Sequence, residues 1–303
     1  MERVPFFACL ALAAAGASAQ DLSQPDSTGL PGDNFNMPAA LEMFKKSIDL
    51  EAFETALNSE GNHVHNLDLD ANGQVDYIRV TSFREGNAAA IVLTVPVSAT
   101  ENQDVAVIEI EKTGEEKATL QMRGDKDLFG EDHIVEPFAE QEGVQDGNGP
   151  SMPELIGVQV VVNVWAWDPV PWCFSGRYYP YVSTWYWGHY PGWWRPWRPH
   201  PWRVWWGWGS YHAHWYRPWH QCRVVQAHAL YSPRRLQSAT VRNRYREAHI
   251  QHQARPARNG QVKPATRPSV PSRARPSKPA PTKPAQRPPQ RTTPRTPRPN
   301  KGK

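Results

Sequence analysis

The side chains best placed to do chemistry lie in one short run, Asp68-Leu69-Asp70-Ala71-Asn72-Gly73-Gln74-Val75-Asp76. Counted from Asp68, oxygen-bearing side chains stand at positions 1, 3, 5 and 9, with glycine at 6. A hard cation such as calcium needs six to eight oxygens around a sharply turned backbone, and glycine permits the turn. Asp68, Asp70, Asn72 and Asp76 are therefore candidate calcium ligands. Asp, Asn and Gly also favour an ordinary tight turn, so the run supports that reading equally. A second set comprises His212, His214 and His220, close to Cys222. On an extended segment His212 and His214 face the same side, which suits a transition metal. Cys222 has a competing use. Once an exported chain loses its leader, Cys173 and Cys222 are the two cysteines left, and in an oxidising compartment they are expected to form a disulfide. A loop of that length corresponds to about 4 kcal/mol in the chain-entropy account.

The chain that positions these residues divides into unlike pieces. Residues 1–19 read as a secretory signal peptide: an apolar run from Val4 to Ala15, then Ala17-Ser18-Ala19 before the expected cut. Residues 20–36 read as a flexible leader rich in Asp, Ser, Pro, Gly and Asn. Residues 37–150 read as an acidic α+β domain. Pro38 suits the first turn of a helix with Leu41, Phe44 and Ile48 on one stripe, and Asp49 suits the cap of a second helix with Leu50, Phe53 and Leu57. The period then becomes two. Strands are expected over 63–69, 75–84, 88–97, 105–112 and 117–123, the last with Ala118, Leu120 and Met122 inward and Thr119, Gln121 and Arg123 outward. Short turns leave no room for crossover helices, so the sheet is expected to be an antiparallel meander with the two N-terminal helices packed on it.

Residues 151–240 form a Trp/Tyr/Pro-rich segment. All 14 tryptophans fall between Trp165 and Trp219, and proline interrupts every few residues, which excludes long helices. Its opening, 158–165, reads as a strand. Three uses compete for so many rings: an irregular core, a platform for glycans, and a membrane-interface surface combining indole with arginine. Residues 241–303 read as a basic, proline-rich, disordered tail, with pairs such as Lys278-Pro279, Lys283-Pro284 and Arg298-Pro299. The overall charge of +4 conceals the partition: residues 20–168 carry a net −20, residues 169–240 a net +8 and residues 241–303 a net +16. A cationic arm of this kind is expected to seek anionic polymer or lipid headgroups, or to fold back on the acidic domain. No run is long and apolar enough for a dedicated transmembrane helix.

Two resemblances bear on function. The run at 68–76 resembles DxDxDGxxD calcium loops of EF-hands, dockerins and integrin-type repeats. An EF-hand has a bidentate acid at position 12, where this chain has Arg79, and Tyr77-Ile78-Arg79-Val80 reads as strand, so the strand-flanked loop is the closer likeness. The stretches NLDLDANGQVDYIRV and VAVIEIEKTGEEKATLQMRGD, followed by a WYWGHYPGWWRPWRP-like segment and a basic tail, resemble exported bacterial proteins to which no activity is assigned. That likeness implies an envelope or secreted location and supplies no functional residues. The chain has no GxSxG, HExxH, P-loop or dinucleotide motif. The expectation is a non-enzymatic exported protein that binds anionic polymer or membrane surface. A calcium- or metal-responsive binding module and a glycan-acting hydrolase are the alternatives.

Overall fold

The computed structural model describes residues 27–138, 161–209 and 216–254. The expected signal peptide, the leader as far as residue 26, His212, His214 and residues 255–303 lie outside them. The chain is α+β. Six antiparallel strands stand in sequence order: β1 (Arg79–Glu85), β2 (Ala88–Pro96), β3 (Asn102–Gly114), β4 (Lys117–Gly124), β5 (His133–Pro137) and β6 (Tyr216–Trp219). The first four correspond to expected strands and form the expected meander; β5 was not expected and extends it by pairing with β4, Met122 opposite Val135. The sixth comes from the aromatic segment and pairs with β5, Ile134 opposite Trp219.

Period-two alternation sends two sets of side chains to opposite faces of this sheet. On the first face Ile91, Leu93, Ile108, Ile110, Leu120 and Met122 meet α1 (Met37–Lys46) and α2 (Leu50–Leu57). The Asn36 side chain accepts from Ala39 N at 3.1 Å and Asp49 accepts from Ala52 N at 2.7 Å, so each helix starts at a cap that satisfies a free first-turn N–H. Phe44 and Phe53 pack edge to face, their centroids 5.3 Å apart. Helix α1 ends at Lys46, two residues short of the expected stripe, and Ile48 is 74% exposed. Val164, Trp167, Val170 and Cys173 of the aromatic segment complete this core.

The second face is covered too, which the sequence reading did not anticipate. Val224 and α6 (Val225–Tyr231) lay Ala227, Leu230 and Tyr231 over Ala88, Ala90, Val92 and Val107. Gln121 and Arg123, expected outward, are consequently buried. Gln121 is satisfied by Gln221 O at 2.8 Å and by Arg223 N at 2.7 Å, as burial of an amide requires.

Residues 30–36, expected in the flexible leader, are packed: Pro31–Asn34 form a 3-10 turn, and Leu30 and Phe35 are buried. Three further expectations change. Residues 63–78 do not enter the ladder: the only pairing there is a single bridge from His65 to Phe35, because the loop amides turn to carboxylates and Val75 N donates to Trp197 O. At 161–165 the described chain makes one bridge, Val161 to Phe138, and no strand. The Cys173–Cys222 disulfide is not formed, and both thiols are free. Cys173 sits in α4 (Pro169–Phe174) within the first-face core, while Cys222 lies beside Glu109 and Arg123 on the second. The sheet stands between them. Residues 241–254, expected in the disordered tail, are instead helical: the chain runs on as α7 (Ala239–Arg244) and α8 (Arg246–Ala254), with Ser238 capping Val241 N and Val241 buried in the core.

Candidate metal centre

The loop at 68–76 folds around its own carboxylates. Ala71 and Gly73 adopt left-handed φ values of 58° and 82°, a conformation costly for alanine and free for glycine. This turn aims successive amides inward. Asn72 N donates to Asp68 Oδ1 and to Asp70 Oδ1, both at 3.0 Å, and Gly73 N donates to Asp68 Oδ2 at 3.0 Å. Leu69 N donates to Asp76 Oδ2 across the loop. One carboxylate oxygen from each of Asp68, Asp70 and Asp76 lies within 4.8 Å of the others. Two oxygens that both sit about 2.4 Å from a calcium ion are at most about 4.8 Å apart, so the spacing of the three meets the first requirement for a shared ion.

Electrostatics favour a cation there. Asp76 is 7% exposed, and burial lifts its carboxyl well above the ordinary range, with Asp70 and Asp68 adding to the effect. Asp70 is raised by burial first and by Asp68 second. A divalent ion relieves both the desolvation and the mutual repulsion. Asn72 is the one predicted ligand not turned to the group: its side-chain oxygen accepts from Gln74 N at 2.8 Å and its amide nitrogen donates to Asp70 Oδ2 at 2.8 Å. Arg79 does not enter the loop. It lies in β1 and reaches Ser183 O at 3.4 Å. Arg244 of α7 donates to Leu69 O, and its charge lowers Asp76.

The aromatic segment walls this loop. A cleft of about 520 Å³ is lined by Asp70, Asn72 and Asp76 on one side and by Trp187, Tyr190 and Trp194 on the other. Tyr77, next to Asp76 in sequence, packs against Trp194 at 5.2 Å and Tyr190 at 5.7 Å between centroids. Glu54 of α2 fixes the segment from beneath. It is 2% exposed and accepts from Tyr77 Oη, Ser183 Oγ, Tyr181 Oη and Val80 N at 2.7–3.2 Å. Burial raises its carboxyl, and those four donors pull it back. Glu54 and Glu51 share a smaller cleft of about 170 Å³ with Tyr77, Tyr181, Trp185 and Trp193. With both oxygens engaged, Glu54 is a structural acceptor rather than a proton donor to a substrate.

The histidine set is not assembled among the described residues. His220 is exposed beside His133, and His212 and His214 lie outside them. Among the described residues, the three aspartates are the one group of three or more His, Cys, Asp or Glu with converging ligand atoms. The sequence reading missed a polar cluster on the second sheet face. Glu109, fully buried, pairs with His228 at 2.7 Å and Arg123 at 3.5 Å, and Tyr231 Oη donates to Asp104 at 3.0 Å. An acid within the otherwise apolar Val105–Ile110 run was the available signal.

No known protein family, curated protein or solved structure matches the chain.

Proposed function

We propose that this protein is a non-enzymatic, exported binding module whose acidic loop holds one calcium ion. In this reading it attaches to anionic polymer or lipid headgroups through its aromatic segment and basic residues. The observation that carries the calcium reading is the convergence of Asp68, Asp70 and Asp76 oxygens within 4.8 Å of one another, at the mouth of an aromatic cleft. The ion would join residues 68–76 to the segment that packs on them, since Val75 N donates to Trp197 O at 2.7 Å. Ligand binding to the native state alone raises its stability by mass action, about 2.7 kcal/mol at a hundredfold excess over Kd. Millimolar calcium should therefore raise the melting temperature of the wild-type protein by several degrees and leave Asp70→Ala unmoved. An equal rise in both proteins, or none in either, rejects the reading.

Attachment to a surface is favoured by the side chains left outside the core. Tyr179, Val182, Tyr186 and Trp193 are at least half exposed. Arg195, Arg198 and Arg203 are exposed in the same segment. Rings beside guanidinium groups suit the boundary between apolar and anionic layers of an envelope. Among the described residues no helix is long and apolar enough to cross a membrane.

A further inference from the structure

The large and small clefts share a wall. Tyr77 lines the small one, and its ring packs on Tyr190 and Trp194, which line the large one. Trp193 and Trp194, adjacent in sequence, face the small and the large cleft respectively. At about 520 Å³ the large cleft falls in the range of self-sufficient ligand sites, whereas about 170 Å³ does not. The small cleft makes sense as an extension for a ligand that crosses the ring wall.

The charge of the pair restricts that ligand. Asp70 and Asp76 line the large cleft against Arg195 alone, and the exposed Glu51 lines the small one with no cation, over the buried, fully engaged Glu54. Acidic grooves floored by indole and phenol rings match an extended chain that alternates cations with rigid apolar rings. Polyproline II segments have that form: they are already stiff, so little entropy is lost on docking, and aromatic grooves receive their pyrrolidine rings. Lysine and arginine add carboxylate pairing and attraction to ring faces.

We infer that the double cleft is a dock for basic, proline-rich polypeptide, supplied by residues 255–303 of a second copy of this chain. That stretch repeats Lys-Pro and Arg-Pro with PxxP spacing at Pro276 to Pro279, Pro281 to Pro284 and Pro294 to Pro297. Its composition is complementary to the clefts in charge and in shape; the other basic, proline-bearing run, residues 195–203, belongs to the segment that walls the large cleft. The dock needs no ion in the 68–76 loop and is tested in a chelator, so its failure is distinguishable from that of the calcium reading; a bound ion would neutralise Asp70 and Asp76 and weaken it.

The test is fluorescence anisotropy of a labelled peptide of residues 276–299, titrated with the full chain and with a chain stopped after Ala254. A chelator is present throughout. The described core and the described hydrogen bonds belong to residues up to 254, so the shorter chain retains them. Saturable binding is expected with the shorter chain, and weaker binding with the full chain, whose own tails compete. A peptide with every proline changed to alanine, and one with every Lys and Arg changed to Gln, should each bind at least tenfold more weakly. Neither control alters the protein. Trp187→Ala, in the wall of the large cleft, should weaken binding at least tenfold. Absence of saturable binding to either chain overturns the inference. So does equal binding of the alanine peptide, which would reduce the effect to bulk charge, or an unchanged Kd in Trp187→Ala, which would place the dock elsewhere.

Discussion

Asp104 lies beneath Tyr231 on the second sheet face, where it accepts from Thr94 Oγ1, Tyr231 Oη and Leu236 N. Burial raises its carboxyl to about 6 despite these donors. For an acid raised on folding, the native state holds the proton more tightly than the unfolded chain does. The contribution of Asp104 is therefore fully present below the unfolded value near 4 and is lost as pH rises towards 6, by at most about 3 kcal/mol. Asp104→Asn removes that dependence. Urea unfolding at pH 4, 5, 6 and 7 should show the wild type losing stability relative to the variant across this window, and a constant difference would contradict the assignment. The loop was legible in the sequence because its chemistry is local: Asp68, Asp70 and Asp76 lie within nine residues and turn about Gly73. Asp104 was not, because the atoms that bury it come from Tyr231 and Leu236.

The helices of the N-terminal half were legible for the same reason of locality. Asp49 caps α2 and Leu50, Phe53 and Leu57 repeat on one face, so neither depends on distant chain. Helix α6 is short and presents Ala227, Leu230 and Tyr231, too small an apolar stripe to announce that it covers a sheet. Without it the outward set of β4 looked solvent-facing, and Cys222 looked free to meet Cys173. The two thiols on opposite sides of the sheet have consequences that can be measured. Burial pushes the Cys173 thiol up to about 12 and raises that of Cys222 less strongly. In a chain starting at Gln20, which lacks Cys9, an aromatic disulfide reagent should count two thiols after denaturation. In the native protein Cys222 should react first and Cys173 only on unfolding, and the melting temperature should ignore reductant. A thiol count of zero without reductant would restore the disulfide.

At the scale of the molecule, the acidic domain and the aromatic segment, unlike in composition, belong to one packed body. The aromatic segment supplies β6 to the sheet, Trp167 to the core and the wall of the acidic loop. The alternation of β2, β3 and β4 made the meander readable, since one face of each strand is uniformly apolar. The partners of the tryptophans were not readable, because proline removes the periodicity that would show which way each ring points. Charge partition remains a feature of the whole chain. A chain lacking residues 255–303 should lose retention by anionic vesicles at low ionic strength, while the full chain should be released steeply by salt. Equal retention of both chains would contradict a cationic anchor.

The central claim is that Asp68, Asp70 and Asp76 close around one ion. Calorimetric titration of the metal-free protein with calcium tests it most directly. The account predicts a single saturable site per chain that disappears in Asp70→Ala and Asp76→Asn while magnesium binds far more weakly. A featureless titration into the millimolar range, or an unchanged isotherm in both variants, would contradict it.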